Sequence, residues 1–122
     1  MISYVTLGTH DMNKAKAFYT ELLADLGAKV LLDLGRIAMI GESFAKPMIA
    51  VCIPHNKEAP SCGNGTMVAI PAGSRENVDK LYAKAISLGA TCEGQPGERM
   101  PTFYGAYVRD PDGNKLAFVK LG

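Results

Sequence analysis

The sequence contains no tryptophan, only three cysteines and only two histidines. The cysteines are odd in number and share no C-x-x-C spacing, which argues against a disulfide framework and a zinc site and favours a reducing cytosol. No apolar run approaches the roughly 20 residues that span a bilayer, and the N-terminus lacks the charged and apolar regions of a signal peptide. We therefore expect a cytoplasmic protein with no membrane partner.

An excess of charge of one sign is also missing. The formal net charge is +1, and Lys, Arg, Asp and Glu are mixed along the chain. Because no basic stripe forms, a nucleic-acid partner is not expected. Hydrophobic residues make up 48% of the 122 residues and charged residues 20%, which is typical of one folded globular domain.

The histidines form none of the common catalytic or metal-binding motifs. His10 and His55 belong to no H-x-x-x-H, H-E-x-x-H or H-x-E sequence. His10 stands at a predicted strand-to-helix junction and is interpreted as a solvated or capping residue. His55 lies in a linker-like sequence with no second ligand at metal spacing. The run Gly63-Asn64-Gly65-Thr66 predicts a turn into a strand, and not a phosphate loop, because no helix follows it.

The chain carries an internal repeat. Phe18-Tyr19 recurs as Leu81-Tyr82, and Leu26-Gly27-Ala28 recurs as Leu88-Gly89-Ala90, at nearly constant spacing. Such self-similarity indicates a duplicated module. We predict an α+β fold of two tandem βαβββ modules, with a curled, mostly antiparallel sheet around a cleft and helices on the outer face. The expected organisation is a single domain with module one at 1–54, a linker at 55–63 and module two at 64–122.

Apolar spacing and capping residues predict the helices and strands of each module. Helices are expected at about 11–26 and 75–88, with Asp11 and Ser74 as N-caps and Gly27 and Gly89 at the ends. The inward residues of the second helix are expected to be Val78, Leu81, Tyr82, Ala85 and Ile86. Strands are expected at 29–33, 36–41, 48–53, 92–95, 103–109 and 115–120. The glycine- and proline-containing segment 94–102 is interpreted as a loop, and 110–114 as a hairpin turn.

Three segments resemble one known family. They are Ile2-Ser3-Tyr4-Val5-Thr6-Leu7-Gly8, Gly63-Asn64-Gly65-Thr66-Met67-Val68-Ala69, and Asp110-Pro111-Asp112-Gly113-Asn114-Lys115-Leu116-Ala117. They resemble the vicinal oxygen chelate superfamily of glyoxalases, extradiol dioxygenases and bleomycin- or fosfomycin-resistance proteins. In that family the positions of Tyr4, Met67 and Ala117 are typically His, His and Glu, and they hold a metal. A phenol, a thioether and a methyl group form no ligand set for a hard divalent ion, so we expect no metal and no other cofactor.

Strand alternation indicates which side chains face the expected cleft. Tyr4 and Thr6 are expected to face it from the first strand, Met67 and Ala69 from the fifth, and Ala117 from the last. Tyr107 joins them from the seventh strand, with Phe103 and Arg109, and Arg99 occupies a region where relatives often contact ligands. The predicted ligand-binding residues are Tyr4, Thr6, Met67, Ala69, Arg99, Phe103, Tyr107 and Ala117.

Two functions remain open at this point. The first is a metal-independent binding protein for a small aromatic or amphipathic molecule, working as a homodimer like the drug-sequestering relatives. The second is a glyoxalase-like lyase or isomerase of unknown substrate. It would use an acid or base such as Tyr4, Glu93 or Glu98, with Arg99 holding an anion. A carboxylate within hydrogen-bond reach of Tyr4 or Tyr107 would favour the enzyme. No catalytic residue is assigned.

Overall fold

The computed structural model describes residues 1–122 and divides them into two compact units. The first unit is Met1–Ser61 and the second is Cys62–Gly122. Each unit contains a strand, a helix and three further strands, and its four strands form one sheet. This confirms the predicted α+β fold of two tandem βαβββ modules. The first unit also takes in most of the segment that the sequence assigned to a linker.

The first unit packs one helix on a four-stranded sheet. Its elements are β1 (Tyr4–Gly8), α1 (Met12–Leu22), a 3-10 helix (Ala24–Leu26), β2 (Lys29–Asp33), β3 (Ile37–Gly41) and β4 (Met48–Cys52). The strand order is β1-β4-β3-β2, with β1 and β4 parallel and the other pairs antiparallel. Asp11 caps α1 as predicted, since its carboxylate accepts from the Lys14 backbone N–H at 3.1 Å.

The first helix is shorter than the sequence suggested. The apolar spacing predicted one helix over 11–26, whereas α1 ends at Leu22 and a separate 3-10 helix follows. The backbone N–H of Leu26 donates to the Leu23 carbonyl, so the last turn closes over three residues and not four. The predicted stop at Gly27 is confirmed, because that residue has a φ of 82° in the left-handed region.

The second unit repeats the first. Its elements are β5 (Val68–Pro71), α2 (Arg75–Ser87), β6 (Thr91–Met100), β7 (Phe103–Arg109) and β8 (Lys115–Leu121), and its strand order is β5-β8-β7-β6. Ser74 caps α2 by accepting from the Asn77 N–H at 3.1 Å. Val78, Leu81 and Ala85 are buried as predicted. The prediction for Ile86 is wrong, because it lies at the edge of the apolar stripe and is 38% exposed.

The segment predicted to be a loop forms most of β6. This ten-residue strand pairs with β7 from Thr91 opposite Arg109 to Met100 opposite Phe103. The register shifts three times along the way, as it does at β-bulges. Because β6 is an edge strand, Pro96 needs no ladder partner on its open side. Bulges and an edge position therefore allow a loop-like composition to form a strand.

The register identifies the face of each sheet that its helix covers, since paired residues point to the same side. In the first unit Lys16 of α1 bonds Asp33 at 2.8 Å, and Asp33 pairs with Ala38. In the second unit the Tyr104 hydroxyl donates to Asp79 of α2 at 2.7 Å. The opposite face of each sheet is called its helix-free face. That of the first sheet carries Tyr4, Thr6, Gly8, Ile37, Met39, Met48, Ala50 and Cys52. That of the second carries Ala69, Pro71, Phe103, Gly105, Tyr107, Arg109, Lys115, Ala117 and Val119.

The apolar core of each unit lies under its helix. Tyr19 and Leu22 of α1 are almost fully buried, and the Phe18 and Tyr19 rings meet edge to face at 4.9 Å. Leu116 and Phe118 of β8 are fully buried on the α2 side of the second sheet. No helix of the structure combines the length and apolar character needed to cross a membrane.

Candidate functional site

Tyr4 and Thr6 stand on the helix-free face of the first sheet. Tyr4 is the first residue of β1, pairs with Met48 and is 47% exposed. Thr6 is exposed two residues further along the strand and pairs with Ala50. The phenol and the hydroxyl are therefore side by side on the surface where alternation places them. Their role in ligand binding remains a prediction.

A cavity of about 510 Å³ lies on this helix-free face. Its wall includes Thr6, Gly8 and Cys52 from the strands, and Pro54, His55 and Glu58 from the segment after β4. That segment comes very close to β1, because a Cβ added to Gly8 would lie 2.7 Å from the Pro60 Cβ. Its start is held by the Arg36 guanidinium, which donates to the Ile53 carbonyl at 2.8 Å. Residues that the sequence suggested were linker therefore form a cavity wall, and His55 belongs to it.

On the second sheet, three predicted residues lie in one row. Ala69, Ala117 and Tyr107 are register partners on the neighbouring strands β5, β8 and β7. Ala117 is fully buried, while Ala69 is exposed. Met67 immediately precedes β5 and is 42% exposed. The Phe103 ring lies over Gly105, where an added Cβ would come within 2.9 Å of the ring.

Positive charge gathers around Tyr107. The Arg99 guanidinium carbon lies 5.2 Å from the centre of the Tyr107 ring, and the Lys115 Nζ lies 5.5 Å from it. Arg109, the register partner of Lys115, donates from Nε to Glu93 Oε1 at 2.6 Å. This hydrogen bond lowers the pKa of Glu93 below its ordinary value, and the nearby Lys115 charge lowers it further.

The residues at the three usual ligand positions do not fit a divalent metal ion. Tyr4 offers a phenol, Met67 a thioether and Ala117 a buried methyl group. Nowhere in residues 1–122 do three or more His, Cys, Asp or Glu side chains lie together in a group that could hold a metal ion. The expectation that the protein works without a metal remains a prediction.

The two carboxylates considered as acids or bases are engaged with arginines. Glu93 pairs with Arg109 at 2.6 Å, and Glu98 pairs with Arg75 at 3.0 Å. Arg75 is the first residue of α2, so Glu98 points to the helix-covered side of the sheet. No carboxylate hydrogen-bonds Tyr4 or Tyr107 in the structure.

Two features of the site were not found from the sequence. Lys115 stands two residues before Ala117 in β8, so alternation alone would have placed both on the helix-free face. The strand predicted at 115–120 began at this residue, but Lys115 was not included among the predicted ligand-binding residues. The cavity wall at 54–61 has no periodic pattern, and no sequence rule places the side chains of such a segment.

Comparisons with known proteins agree with this architecture. The model of the Glyoxalase/Bleomycin resistance protein/Dioxygenase superfamily matches residues 1–118. The structure of a glyoxalase/bleomycin resistance protein from Albidiferax ferrireducens T118 is similar at 33% identity and a TM-score of 0.87, over 98% of this chain and 97% of that one.

Two further solved structures share the fold at lower identity. A glyoxalase/bleomycin resistance protein/dioxygenase family enzyme from Burkholderia phytofirmans PsJN is 22% identical, with a TM-score of 0.79 and 98% of each chain covered. A putative glyoxalase from Bacillus halodurans is also 22% identical, with a TM-score of 0.78, over 98% of this chain and 94% of that one. No curated protein matches the chain. From the family match and the 33% identical relative, the chain belongs to the glyoxalase/bleomycin resistance protein/dioxygenase superfamily.

Proposed function

We propose that this chain is a metal-independent binding protein for a small aromatic or amphipathic molecule, built on a glyoxalase-like scaffold. The observation that carries the proposal is the chemistry of Tyr4, Met67 and Ala117 at the positions where metalloenzymes of the family usually hold their ion. A phenol is a weak ligand for a hard divalent ion, for which carboxylate and imidazole groups are preferred. A thioether suits only a soft ion, and a methyl group binds none.

The cavity of the first unit supports this proposal. Its volume of about 510 Å³ lies within the range of about 300–1,000 Å³ that is usual for small-molecule pockets. Its wall mixes apolar groups such as Ile37 and Pro54 with polar groups such as Thr6 and Asn56, which suits an amphipathic ligand. Nearby, Tyr4 leaves 47% of its surface exposed for ring and dispersion contacts.

Thermal-shift screening with aromatic and amphipathic compounds tests the proposal. A ligand at about 100 times its Kd stabilises the folded protein by about 2.7 kcal/mol, which is readily detected. We expect at least one compound to raise the melting temperature equally with and without a chelator, and elemental analysis to find no stoichiometric Zn, Ni, Mn or Fe. About one transition metal per chain, lost together with binding on chelation, would show that the proposal is wrong.

A cavity-filling variant makes the test specific to the site. Thr6→Phe places a ring in the cavity from an exposed strand position, where an aromatic residue is well tolerated. We expect it to abolish binding with little change in stability. Thr6→Ser keeps a hydroxyl at the same place and is the matched control. Undiminished binding by Thr6→Phe would place the ligand elsewhere.

We also propose that the protein is a cytoplasmic homodimer. Supporting this, β2 is a sheet edge and carries exposed Val30 and Leu32, at 39% and 42%, and such edges favour pairing with another strand. Light scattering at micromolar concentration should give twice the mass of the 13.0 kDa chain. Leu32→Lys should then lower the measured mass, and a monomeric parent protein would contradict the proposal.

A metal-independent lyase or isomerase is the second candidate, and one observation favours it. His55 and Glu58 both line the first-unit cavity, and an imidazole and a carboxylate in one cavity can serve as acid and base. We rank binding first because Glu93 and Glu98 are paired with arginines. A compound found in the screen and consumed by the parent protein, but not by His55→Gln, would reverse this ranking.

A further inference from the structure

We propose that the helix-free face of the second unit binds an oxyanion, a carboxylate or a phosphate carried on an apolar body, through Arg99 and Lys115. This inference goes beyond the proposed function, because the cavity that supports that function lies in the first unit. It comes from the distribution of charge around Tyr107, from the way the Arg99 side chain is held, and from the small residues beside it.

Positive charge on this face exceeds negative charge. Three cationic side chains, Arg99, Arg109 and Lys115, share it, and one carboxylate, Glu93, bonds one of them at 2.6 Å. Arg99 and Lys115 have no carboxylate within ion-pair distance. A ligand anion would complete this set, and its interaction with a guanidinium is a charge-assisted hydrogen bond of the stronger kind.

Arg99 is held in place by its own strand. Its Nη2 donates to the Gln95 carbonyl at 2.7 Å, so the side chain folds back along β6. An added Cβ would lie 3.2 Å from Nη2 at Gly94 and 2.9 Å from Nη1 at Gly97. The two glycines therefore leave room for the guanidinium against the backbone. A fixed guanidinium loses less conformational entropy when it binds an oxyanion.

The neighbouring surface suits an apolar body beside the anion. Two cations lie over the ring of Tyr107, so this ring serves as a platform for positive charge rather than as a free stacking surface. The next residues in its row are Ala117, which is fully buried, and Ala69, which is exposed. The exposed Ala69 therefore offers an apolar contact on the same face as the cations at Tyr107.

The other face of the same strand provides an internal comparison. Arg75 also lies over a tyrosine of β7, with its guanidinium carbon 5.0 Å from the Tyr104 ring. Arg75 is neutralised by Glu98 at 3.0 Å, whereas Arg99 makes the equivalent ring contact without a carboxylate. An arginine that packs against a tyrosine of β7 can therefore also pair with a carboxylate, as Arg75 does. Arg99 has the tyrosine contact but lacks the carboxylate. The missing counter-charge is what a ligand would supply.

Binding of matched probes tests the inference. The probes are 1-naphthoate, 1-naphthyl phosphate and the neutral 1-naphthamide, measured by isothermal titration calorimetry at low and high salt. We expect either anion to bind at least about tenfold more tightly than the amide, because charged hydrogen bonds are worth more than neutral ones. We also expect this preference to shrink at high salt. The ratio between the two anions distinguishes a carboxylate ligand from a phosphate ligand.

Variants locate the anion. Arg99→Gln keeps most of the side-chain length and removes the charge, and we expect it to weaken binding of the preferred anion about tenfold or more while leaving the amide unchanged. Lys115→Gln should act in the same direction. Arg75→Gln removes the matched cation from the helix-covered face and should leave binding of the anion unchanged.

Each outcome bears on one proposal or the other. If the amide binds as tightly as the anions, or if Arg99→Gln and Lys115→Gln bind the anion like the parent protein, the inference is overturned while the binding function stands. If no probe binds but a neutral compound from the thermal-shift screen does, the inference again fails alone. If neither the probes nor any compound of the screen binds, both proposals fail. If Arg99→Gln does not fold, binding of the anion by Lys115→Gln decides the inference instead.

Discussion

At the scale of single residues, one buried carboxylate holds a turn together through several hydrogen bonds. Asp110 is only 4% exposed, and its Oδ1 accepts from the backbone N–H groups of Asp112 and Asn114, each at 2.9 Å. Its Oδ2 accepts from the Asn114 amide at 3.0 Å. The turn that these bonds close leads directly into β8, so one side chain sets the approach to Lys115 and Ala117.

Removing the Asp110 carboxylate should lower the stability of the fold. Asp110→Ala leaves several turn donors without an acceptor, so we expect the free energy of unfolding to fall by about 2–3 kcal/mol. Urea denaturation followed by circular dichroism measures it. Asp110→Asn retains an acceptor oxygen, so its free energy of unfolding should fall clearly less than that of Asp110→Ala. Equal losses for the two variants would mean that the side-chain bonds matter less than the buried volume.

Ion pairs predict how stability depends on pH. Hydrogen bonding to Arg109 lowers the pKa of Glu93, and bonding to Lys16 lowers that of Asp33. Each pair therefore stabilises the fold above the unfolded-state pKa, about 4, and this stabilisation is lost as the pH falls through the folded-state pKa. Between about pH 5 and 3, the melting temperature of Glu93→Gln should fall less steeply with decreasing pH than that of the parent protein. The pairs are solvent-exposed, so the difference should shrink in high salt, and a salt-independent slope would contradict this origin.

At the scale of elements, the two helices begin in the same way. Asp11 and Ser74 each accept from the backbone N–H three residues later, at 3.1 Å. Asp11→Ala and Ser74→Ala should each lower the free energy of unfolding by about 1 kcal/mol, whereas Asp11→Asn and Ser74→Asp should retain most of it. Chemical denaturation of the four variants checks this. Alanine variants as stable as the parent would show that the caps contribute nothing.

The sequence predicted best the elements that carry a strong local pattern. Ser74, the apolar stripe and Gly89 bounded α2 to within a residue, and the limits of β7 were predicted correctly. Only the first part of β6 was predicted, at 92–95, because Gly94, Pro96 and Gly97 are ordinary loop residues, and the pairing with β7 extends the strand to Met100. Local propensity gave way there to tertiary pairing.

In the candidate site, too, the residues with a strong local pattern were predicted best. Period-two alternation correctly grouped Ala69 and Ala117 on one face with Tyr107, because a strand leaves few choices of side. Arg99 reaches Tyr107 by folding back over two glycines, which no periodic rule predicts. The wall at 54–61 depends on Gly8 admitting Pro60, a contact between distant parts of the chain. Contacts of this kind depend on how distant parts of the chain meet, and local sequence does not determine them.

At the scale of the whole molecule, the chain comprises two units of about equal length. A chain of about 60 residues buries only about 60% of its unfolded surface and is marginal on its own. We therefore predict one cooperative unfolding transition, as for a single domain, with coincident curves from far-UV circular dichroism and tyrosine fluorescence. Two separated transitions would show that the units are stable independently.

In both units the first strand has a single strand partner, the last one of that unit: β1 pairs with β4, and β5 with β8. During synthesis, each opening strand therefore leaves the ribosome long before its strand partner has been made. The helix and hairpin between them must form before the opening strand can pair. Joining the ends closes the longest loop in the unit, which makes this pairing a late and slow event. A nascent chain that stops short of Lys115 would hold β5 with no strand beside it, a natural point for a chaperone to act.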